Sequence, residues 1–196
     1  MKATLHRRDV AKVLLQDRGD LLVVAGLGST AWDITAAGDS PLSFPLWGAM
    51  GAAAMIGLGL ALAQPRRRVL VLTGDGEMLM GLGSLATIGV QRPRNLAVVV
   101  VDNERYGETG MQRTHTAAGV DLAKAAKACG FKKSSLIRSK GQLIGLRRAI
   151  HHGAGPLFAQ VKVIAEKIPL VLPPRDGGLL KSRFRKALLG DGADLD

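Results

Sequence analysis

Short runs of consecutive apolar residues alternate along this chain with longer segments in which apolar residues recur at helical spacing. The runs are rich in valine and leucine, a composition typical of strands that are buried on both faces of a parallel sheet. They occupy residues 21–25, 69–72, 96–101, 134–137 and 156–163. The apolar pattern therefore predicts five strands.

The segments with helical spacing lie between these runs, at residues 7–18, 50–63, 82–90, 121–129 and 141–152. Gly19, Pro93 and Gly130 follow three of them and predict helix ends. Strands that alternate with helices predict an α/β fold, a doubly wound and mostly parallel sheet with helices on both faces. The 196 residues, of which 47% are hydrophobic, suffice for a single domain of this kind.

Two segments call for separate predictions. Residues 45–63 are mostly glycine and alanine, which predicts a buried helix rather than a membrane span. Beyond residue 163 the composition changes, so we expect a main domain over residues 1–167 and an appended segment over 168–196. Within that segment we expect an extended arm over 168–174, an amphipathic basic helix over 179–189 and a frayed end over 190–196.

The ends of two predicted strands carry the candidate chemistry. One strand is followed by Gly74-Asp75-Gly76, and the next is followed by Asp102-Asn103. Open α/β sheets bind ligands at the carboxyl ends of their strands. Asp75 and Asn103 offer the oxygen ligands that Mg²⁺ takes beside waters and substrate phosphates, and glycine lets backbone N–H groups approach a diphosphate. The sequence therefore predicts a site for a metal ion and a diphosphate.

Several segments together resemble the thiamine-diphosphate-dependent 2-oxo acid decarboxylases. Gly-Asp-Gly followed by a helix and by a strand that ends in Asn is similar to their cofactor signature. Further similar segments are Gly48-Ala49-Met50-Gly51, Gly57-Leu58-Gly59-Leu60-Ala61, Gly81-Leu82-Gly83-Ser84-Leu85-Ala86-Thr87 and Tyr106-Gly107-Glu108-Thr109-Gly110-Met111-Gln112-Arg113-Thr114. The last is similar to a segment in the small subunit of sulfopyruvate decarboxylase and in phosphonopyruvate decarboxylase. The resemblance covers roughly residues 21–163, most of the chain.

This resemblance implies the cofactors, thiamine diphosphate and Mg²⁺, and a role for each matching residue. The metal ligands would be Asp75, Asn103 and the backbone carbonyl of Arg105. Met50 would hold the cofactor in its bent shape, and the carbonyl of Gly48 would accept a hydrogen bond from its amino group. Together the implied cofactor-binding residues are Gly28, Ser29, Thr30, Gly48, Met50, Gly74, Asp75, Gly76, Glu77, Asn103, Arg105, Tyr106 and Gly107.

Other residues have weaker support. The Gly28-Ser29-Thr30 turn offers hydroxyl and N–H groups to a diphosphate but also suits a plain helix cap. The residues that would form or flank the substrate mouth are Tyr106, Glu108, Thr109, Gln112 and Thr114, although relatives have Ser where this chain has Glu108. His115 is a candidate acid–base group because an unperturbed imidazole titrates near neutral pH. A surface histidine is the alternative.

The resemblance also implies a partner. A complete enzyme of this family has a second, pyrimidine-binding domain whose glutamate activates the cofactor, and this chain has room only for the first. We therefore expect a hetero-oligomer that decarboxylates a small 2-oxo acid to an aldehyde and CO₂. The alternatives are a carboligase or oxidoreductase β subunit with the same cofactor, and a basic binding partner without catalysis.

The charge and the cysteine content narrow the classes of function. The net charge is +11, but the basic residues are scattered and no nucleic-acid-binding motif accompanies them, so we expect no nucleic-acid partner. An acidic subunit or an anionic substrate explains the sign. The single cysteine excludes an internal disulfide framework or a four-cysteine cluster. With no secretory signal evident, we expect a cytoplasmic protein without a membrane anchor.

Overall fold

The computed structural model describes residues 3–194 of the chain. Its helices are α1 (Arg7–Leu15), α2 (Ser29–Ala36), α3 (Ala53–Ala63), α4 (Asp75–Met80), α5 (Ser84–Gln91), α6 (Leu122–Ala128), α7 (Lys140–His152) and α8 (Gly177–Leu189). Its strands are β1 (Leu22–Ala25), β2 (Ser43–Pro45), β3 (Val69–Gly74), β4 (Leu96–Asp102), β5 (Arg105–Tyr106), β6 (Gln112–Arg113), β7 (Lys133–Ile137) and β8 (Leu157–Lys162).

Six strands form one parallel sheet in the order β2-β1-β3-β4-β8-β7, which confirms the predicted fold class. Apolar clusters cover both faces, one with α1, α2 and α7 and the other with α3, α5 and α6. The chain leaves β1 toward β2 on one side and later returns to β3 on the other. The carboxyl ends of β1 and β3 therefore form the crevice where such sheets bind ligands.

Five elements were not predicted. Helix α2 and strand β2 follow β1, and helix α4 precedes the predicted helix at residues 82–90, which is α5. Strands β5 and β6 form a small antiparallel hairpin at the end of β4. These elements are short, from two to eight residues, so they carry too few apolar repeats to stand out in a sequence.

The buried helix predicted within the stretch 45–63 is α3, which has one buried face but does not extend over the whole stretch. Residues 43–45 form the edge strand β2, and the helix begins at Ala53 after a loop. On its outward side Met55 and Leu62 are exposed. The periodicity of small residues could not distinguish the buried face from the outer one, because glycine and alanine fit both.

The C-terminal segment folds back onto the chain itself. Arg8 donates to the carbonyl of Pro169 and Trp47 donates to that of Pro174, at 2.7 and 2.8 Å. Phe184 on α8 packs against the ring of Phe44 on the edge strand β2, with ring centroids 5.4 Å apart. Residues 190–194 form a 3₁₀ helix, so the predicted frayed end was wrong there, and residues 195–196 lie outside the described part of the chain. Within the described chain, no helix combines the length and apolarity needed to cross a bilayer.

Candidate functional site

Asp75 and Asn103 lie at the ends of the neighbouring strands β3 and β4, as the sequence predicted. Asp75 begins α4 directly after β3 and is only 1% exposed, and Asn103 follows β4. Both line one cavity with Ser29, which follows β1. The amide oxygen of Asn103 accepts the N–H of Arg105 at 2.9 Å, which fixes the turn after β4. The parallel sheet thus brings three strand ends to one opening.

Two threonine hydroxyls hold the carboxylate of Asp75. Thr114 and Thr116 both donate to its Oδ2 atom, the latter at 3.1 Å. Thr116 also lies 2.9 Å from Oδ1 of Asp102, the last residue of β4. Burial raises the pKa of Asp75 to about 6, and the nearby charge of Asp102 adds to the rise. The hydrogen bonds from the two threonines oppose it. A carboxylate held in this way would be stabilised by a cation in the cavity.

Asp102 is fully buried and paired. Lys162, on β8, places its ammonium 2.8 Å from Oδ2 of Asp102 and 2.7 Å from Glu104, and Gln160 donates to the same Oδ2. Burial disfavours the charged ammonium, but hydrogen bonds to Asp102 and Glu104 more than offset this and raise the pKa of Lys162. The sequence interpretation missed this cluster. Its signal in the sequence was two polar residues, Gln160 and Lys162, in an otherwise apolar strand next to the predicted site.

The buried carboxylate of Glu77 connects several of the segments that form the crevice. Its Oε2 accepts the hydroxyl of Thr73 at 2.7 Å, and a Cβ on Gly26 would overlap that same oxygen. Burial raises the pKa of Glu77, and the Thr73 hydroxyl and the backbone N–H groups of Gly51, Ala53 and Gly74 oppose the rise. This carboxylate links β3 to the turn after β1 and to the loop before α3, so its role in the structure is to hold the crevice together.

The turn Gly28-Ser29-Thr30 lies at the start of α2. Gly28 has φ +71°, a conformation that favours glycine, and no side chain caps the helix there. The Thr30 hydroxyl donates to the carbonyl of Gly26 at 2.9 Å and is therefore not free for a ligand, unlike the predicted use of hydroxyls here. Arg7, from α1, is buried and donates to the carbonyl of Ser29 at 3.1 Å. Sequence reasoning missed Arg7.

The hairpin after β4 covers the cavity. The ring of Tyr106 packs on Gly76, where a Cβ would overlap the ring, and the Glu108 carboxylate lies against Gly28. Thr109 also lines the cavity and exchanges hydrogen bonds with Gln112, which is exposed. Burial raises the pKa of Glu108, while the charge of Arg7 opposes the rise.

Three predicted residues, His115, Met50 and Gly48, have side chains or backbone that are exposed to solvent. His115 is exposed and lines none of the described cavities, because the threonines on either side of it point inward to Asp75. Met50 does reach the cavity, from a loop before α3, and is 39% exposed. Gly48, in the same loop, is exposed and has open space beside it. This wall of the cavity therefore faces solvent.

The residues present fit a magnesium diphosphate. Within residues 3–194, no three histidine, cysteine or acidic side chains gather into a metal site, so an ion beside Asp75 would need Asn103, backbone and ligand oxygens. Mg²⁺ accepts this mixture of few protein ligands and several phosphate oxygens. Open space beside Gly74, where a Cβ would meet nothing within 4 Å, leaves room at the same strand end.

The sequence is similar to those of known proteins. Residues 28–161 match the family model described as thiamine pyrophosphate enzyme, C-terminal TPP binding domain. The chain is 39% identical to sulfopyruvate decarboxylase subunit beta of Methanothermobacter thermautotrophicus, over 89% of this chain and 91% of that subunit. It is 46% identical to phosphonopyruvate decarboxylase of Streptomyces hygroscopicus, over 80% of this chain but only 36% of that protein.

A solved structure supports the fold. Benzoylformate decarboxylase from Polynucleobacter necessarius matches with a TM-score of 0.68, over 85% of this chain and 34% of that one. The sequence identity is 22%, so this likeness concerns the fold alone.

Proposed function

The chain belongs to the thiamine pyrophosphate enzymes, as a C-terminal TPP binding domain, and we propose that it is the cofactor-binding subunit of a two-chain 2-oxo acid decarboxylase. The substrate would be sulfopyruvate, phosphonopyruvate or a similar anionic 2-oxo acid, and the products an aldehyde and CO₂. The observation that carries the proposal is the convergence of Asp75, Asn103 and Ser29 on one cavity. Curated relatives similar to this chain are named as decarboxylases of these two acids.

In this proposal the cavity holds thiamine diphosphate with Mg²⁺. Asp75, Asn103 and the carbonyl of Arg105 would bind the ion, and the turn at Gly28 and Ser29, with Gly74, Gly76 and Glu77 through their backbone, would face the diphosphate. When bound, the cofactor takes up the electron pair that CO₂ leaves behind. The protein supplies orientation, and Met50 would support the bent shape of the cofactor from the open side of the cavity.

The hairpin would form the substrate mouth. Glu108 and Thr109 line the cavity, and Gln112 holds Thr109 through hydrogen bonds in both directions. The Glu108 carboxylate lies against Gly28 rather than projecting freely into the cavity, which lessens its conflict with an anionic substrate. His115 is left out of the proposed machinery because its side chain is exposed outside the cavity.

The exposed wall of the cavity, formed by the loop before α3, is an argument for a partner subunit. Trp47 and Met50 are exposed there, and Met80 at the end of α4 is 67% exposed. Exposed apolar residues beside a ligand cavity are typical of an interface. The chain spans about a third of the phosphonopyruvate decarboxylase that it resembles, whereas it spans 91% of the sulfopyruvate decarboxylase subunit beta. We propose that a pyrimidine-binding subunit covers this wall and supplies the catalytic glutamate.

Reconstitution tests this function directly. The chain and a candidate pyrimidine-binding subunit are purified separately, and decarboxylation of sulfopyruvate, phosphonopyruvate and pyruvate is followed with thiamine diphosphate and Mg²⁺. We expect turnover only from the mixture, with a difference of roughly 10⁶-fold, because the partner's glutamate is required to activate the cofactor. Sustained turnover by the chain alone would contradict the two-chain proposal. A chain that does not bind the cofactor with any subunit would contradict the function itself.

A further inference from the structure

Thr114 and Thr116 lie between the carboxylate of Asp75 and the hairpin. Their side chains are buried, and their hydroxyl oxygens lie 2.9 Å apart. Both contact Oδ2 of Asp75, and Thr116 also contacts Asp102. Each hydroxyl has one proton, so two protons serve four oxygen contacts. The arrangement holds Oδ2 of Asp75 in place between two hydroxyl groups.

The same two residues anchor the returning end of the hairpin. Strand β5 pairs with β6, and the N–H of Thr114 donates to the carbonyl of Glu104 at 3.1 Å. The hairpin leaves the sheet at Asn103 and returns at Thr114, so both of its ends contact proposed metal residues or are bonded to them. Residues 107–111, the tip of the hairpin, include Glu108 and Thr109 of the cavity.

We propose that Thr114 and Thr116 are positioning residues that orient Asp75 toward the metal ion and couple ion binding to the order of residues 107–111. The inference rests on the proposed function, since it concerns the ion and cofactor assigned there. Its physical basis is that an ion bound by Asp75 would fix the carboxylate, and the fixed carboxylate would in turn hold both threonine hydroxyls and the end of the hairpin. Neither threonine would touch the substrate.

Cofactor binding and hydrogen exchange test the coupling. Titration calorimetry measures the Kd for thiamine diphosphate at fixed Mg²⁺ in wild-type protein, Thr114→Val, Thr116→Val and the matched control Thr114→Ser, each with its partner subunit. We expect the valine variants to bind about 10- to 100-fold more weakly, the effect typical of residues that orient metal ligands. Thr114→Ser keeps the hydroxyl and should stay within about threefold of wild type.

Amide exchange over residues 107–111 gives the second measurement. Mg²⁺ with thiamine diphosphate should slow exchange there in wild type and in Thr114→Ser, and should do so much less in Thr114→Val. Unchanged affinity and unchanged protection in the valine variants would overturn the inference, as would an equal loss in Thr114→Ser. If the valine variants do not fold, Thr114→Ala, which inserts no misplaced methyl group, carries the same expectation.

Different results would contradict the proposed function and the positioning role of the two threonines. If wild-type protein binds no cofactor at any Mg²⁺ concentration, the proposed function is wrong. If wild type binds normally and the threonine variants match it in both measurements, only the positioning role is wrong.

Discussion

The cavity has two walls that differ in construction. The wall at the ends of β3 and β4 is buried, and its polar groups are connected: Asp75 to two threonines, and Asp102 to Gln160 and Lys162. The opposite wall, the loop with Gly48 and Met50, is exposed and is formed largely by glycine, alanine and methionine. One wall is complete within this chain, whereas the other has the exposed apolar character of a surface that a second chain covers.

This difference separates two tasks. Fixed polar groups in a buried wall suit an ion and a diphosphate, because their geometry does not need to change when the ligand binds. An open apolar wall suits two other tasks, holding the cofactor in its bent shape and binding the partner subunit. We therefore expect changes in the first wall to affect folding and binding, and changes in the second to affect turnover while binding persists.

The largest stability effect is expected at Lys162 in the connected wall. Replacing Lys162 with Met leaves the fully buried Asp102 without its cation, which we expect to destabilise the protein by about 3–5 kcal/mol. Urea denaturation of the purified chain measures the change. The control is Lys124→Met, an exposed lysine on α6 whose loss should cost about 0.5 kcal/mol or less. Equal effects in the two variants would show that the Asp102 cluster does not stabilise the wall.

A large binding effect is expected at Asp75. Asp75→Ala should weaken thiamine diphosphate binding at least about 100-fold, or about 2.7 kcal/mol, because the ion that bridges to the diphosphate loses a carboxylate. Calorimetry of the assembled complex with Mg²⁺ and with a chelator measures this. In wild type the chelator should abolish tight binding, and in the variant it should change little. Asp20→Ala, at a surface ion pair, is the control and should bind like wild type.

A change in the open wall should leave cofactor binding nearly intact and slow the chemistry instead. Met50→Ala should bind thiamine diphosphate within about threefold of wild type, because Met50 makes no contact with the diphosphate side of the cavity in the proposal. Exchange of the C2 proton of the bound cofactor, followed by NMR, should slow at least about tenfold, since a small misplacement of reacting groups is costly. Wild-type exchange in this variant would mean that Met50 only fills space.

The smallest effect is expected at Glu108, which lies between the walls. Its carboxylate rests against the Gly28 turn, where the proposed diphosphate would bring further negative charge. Glu108→Gln should therefore tighten binding of Mg²⁺ pyrophosphate by several-fold and up to about tenfold. The matched control is Glu166→Gln, which removes the same charge from the segment that follows β8, near the cavity. Weaker binding in Glu108→Gln would indicate that the carboxylate supports the ligand instead.

The apolar pattern determined most of the sheet. The runs at residues 69–72 and 96–101 became β3 and β4 because a run made almost wholly of valine and leucine is stable only when both of its faces are buried. Asp75 and Asn103 were predictable for a related reason. A polar residue within a few positions after such a run lies near the strand end, and parallel strands bring their ends to one edge.

The tertiary structure alone decided which other residues meet there. Thr116, Asp102, Lys162 and Arg7 reach the site from separate elements, and the contact of Lys162 with Asp102 joins residues 60 positions apart. No local periodicity encodes such a meeting, because it depends on strand order and register. The same holds for His115, whose chemistry suggested the site but whose position between two inward-facing threonines turns it to solvent. Residue type and strand pattern fix the sheet and its polar edge, whereas the packing of distant elements decides which side chains that edge contains.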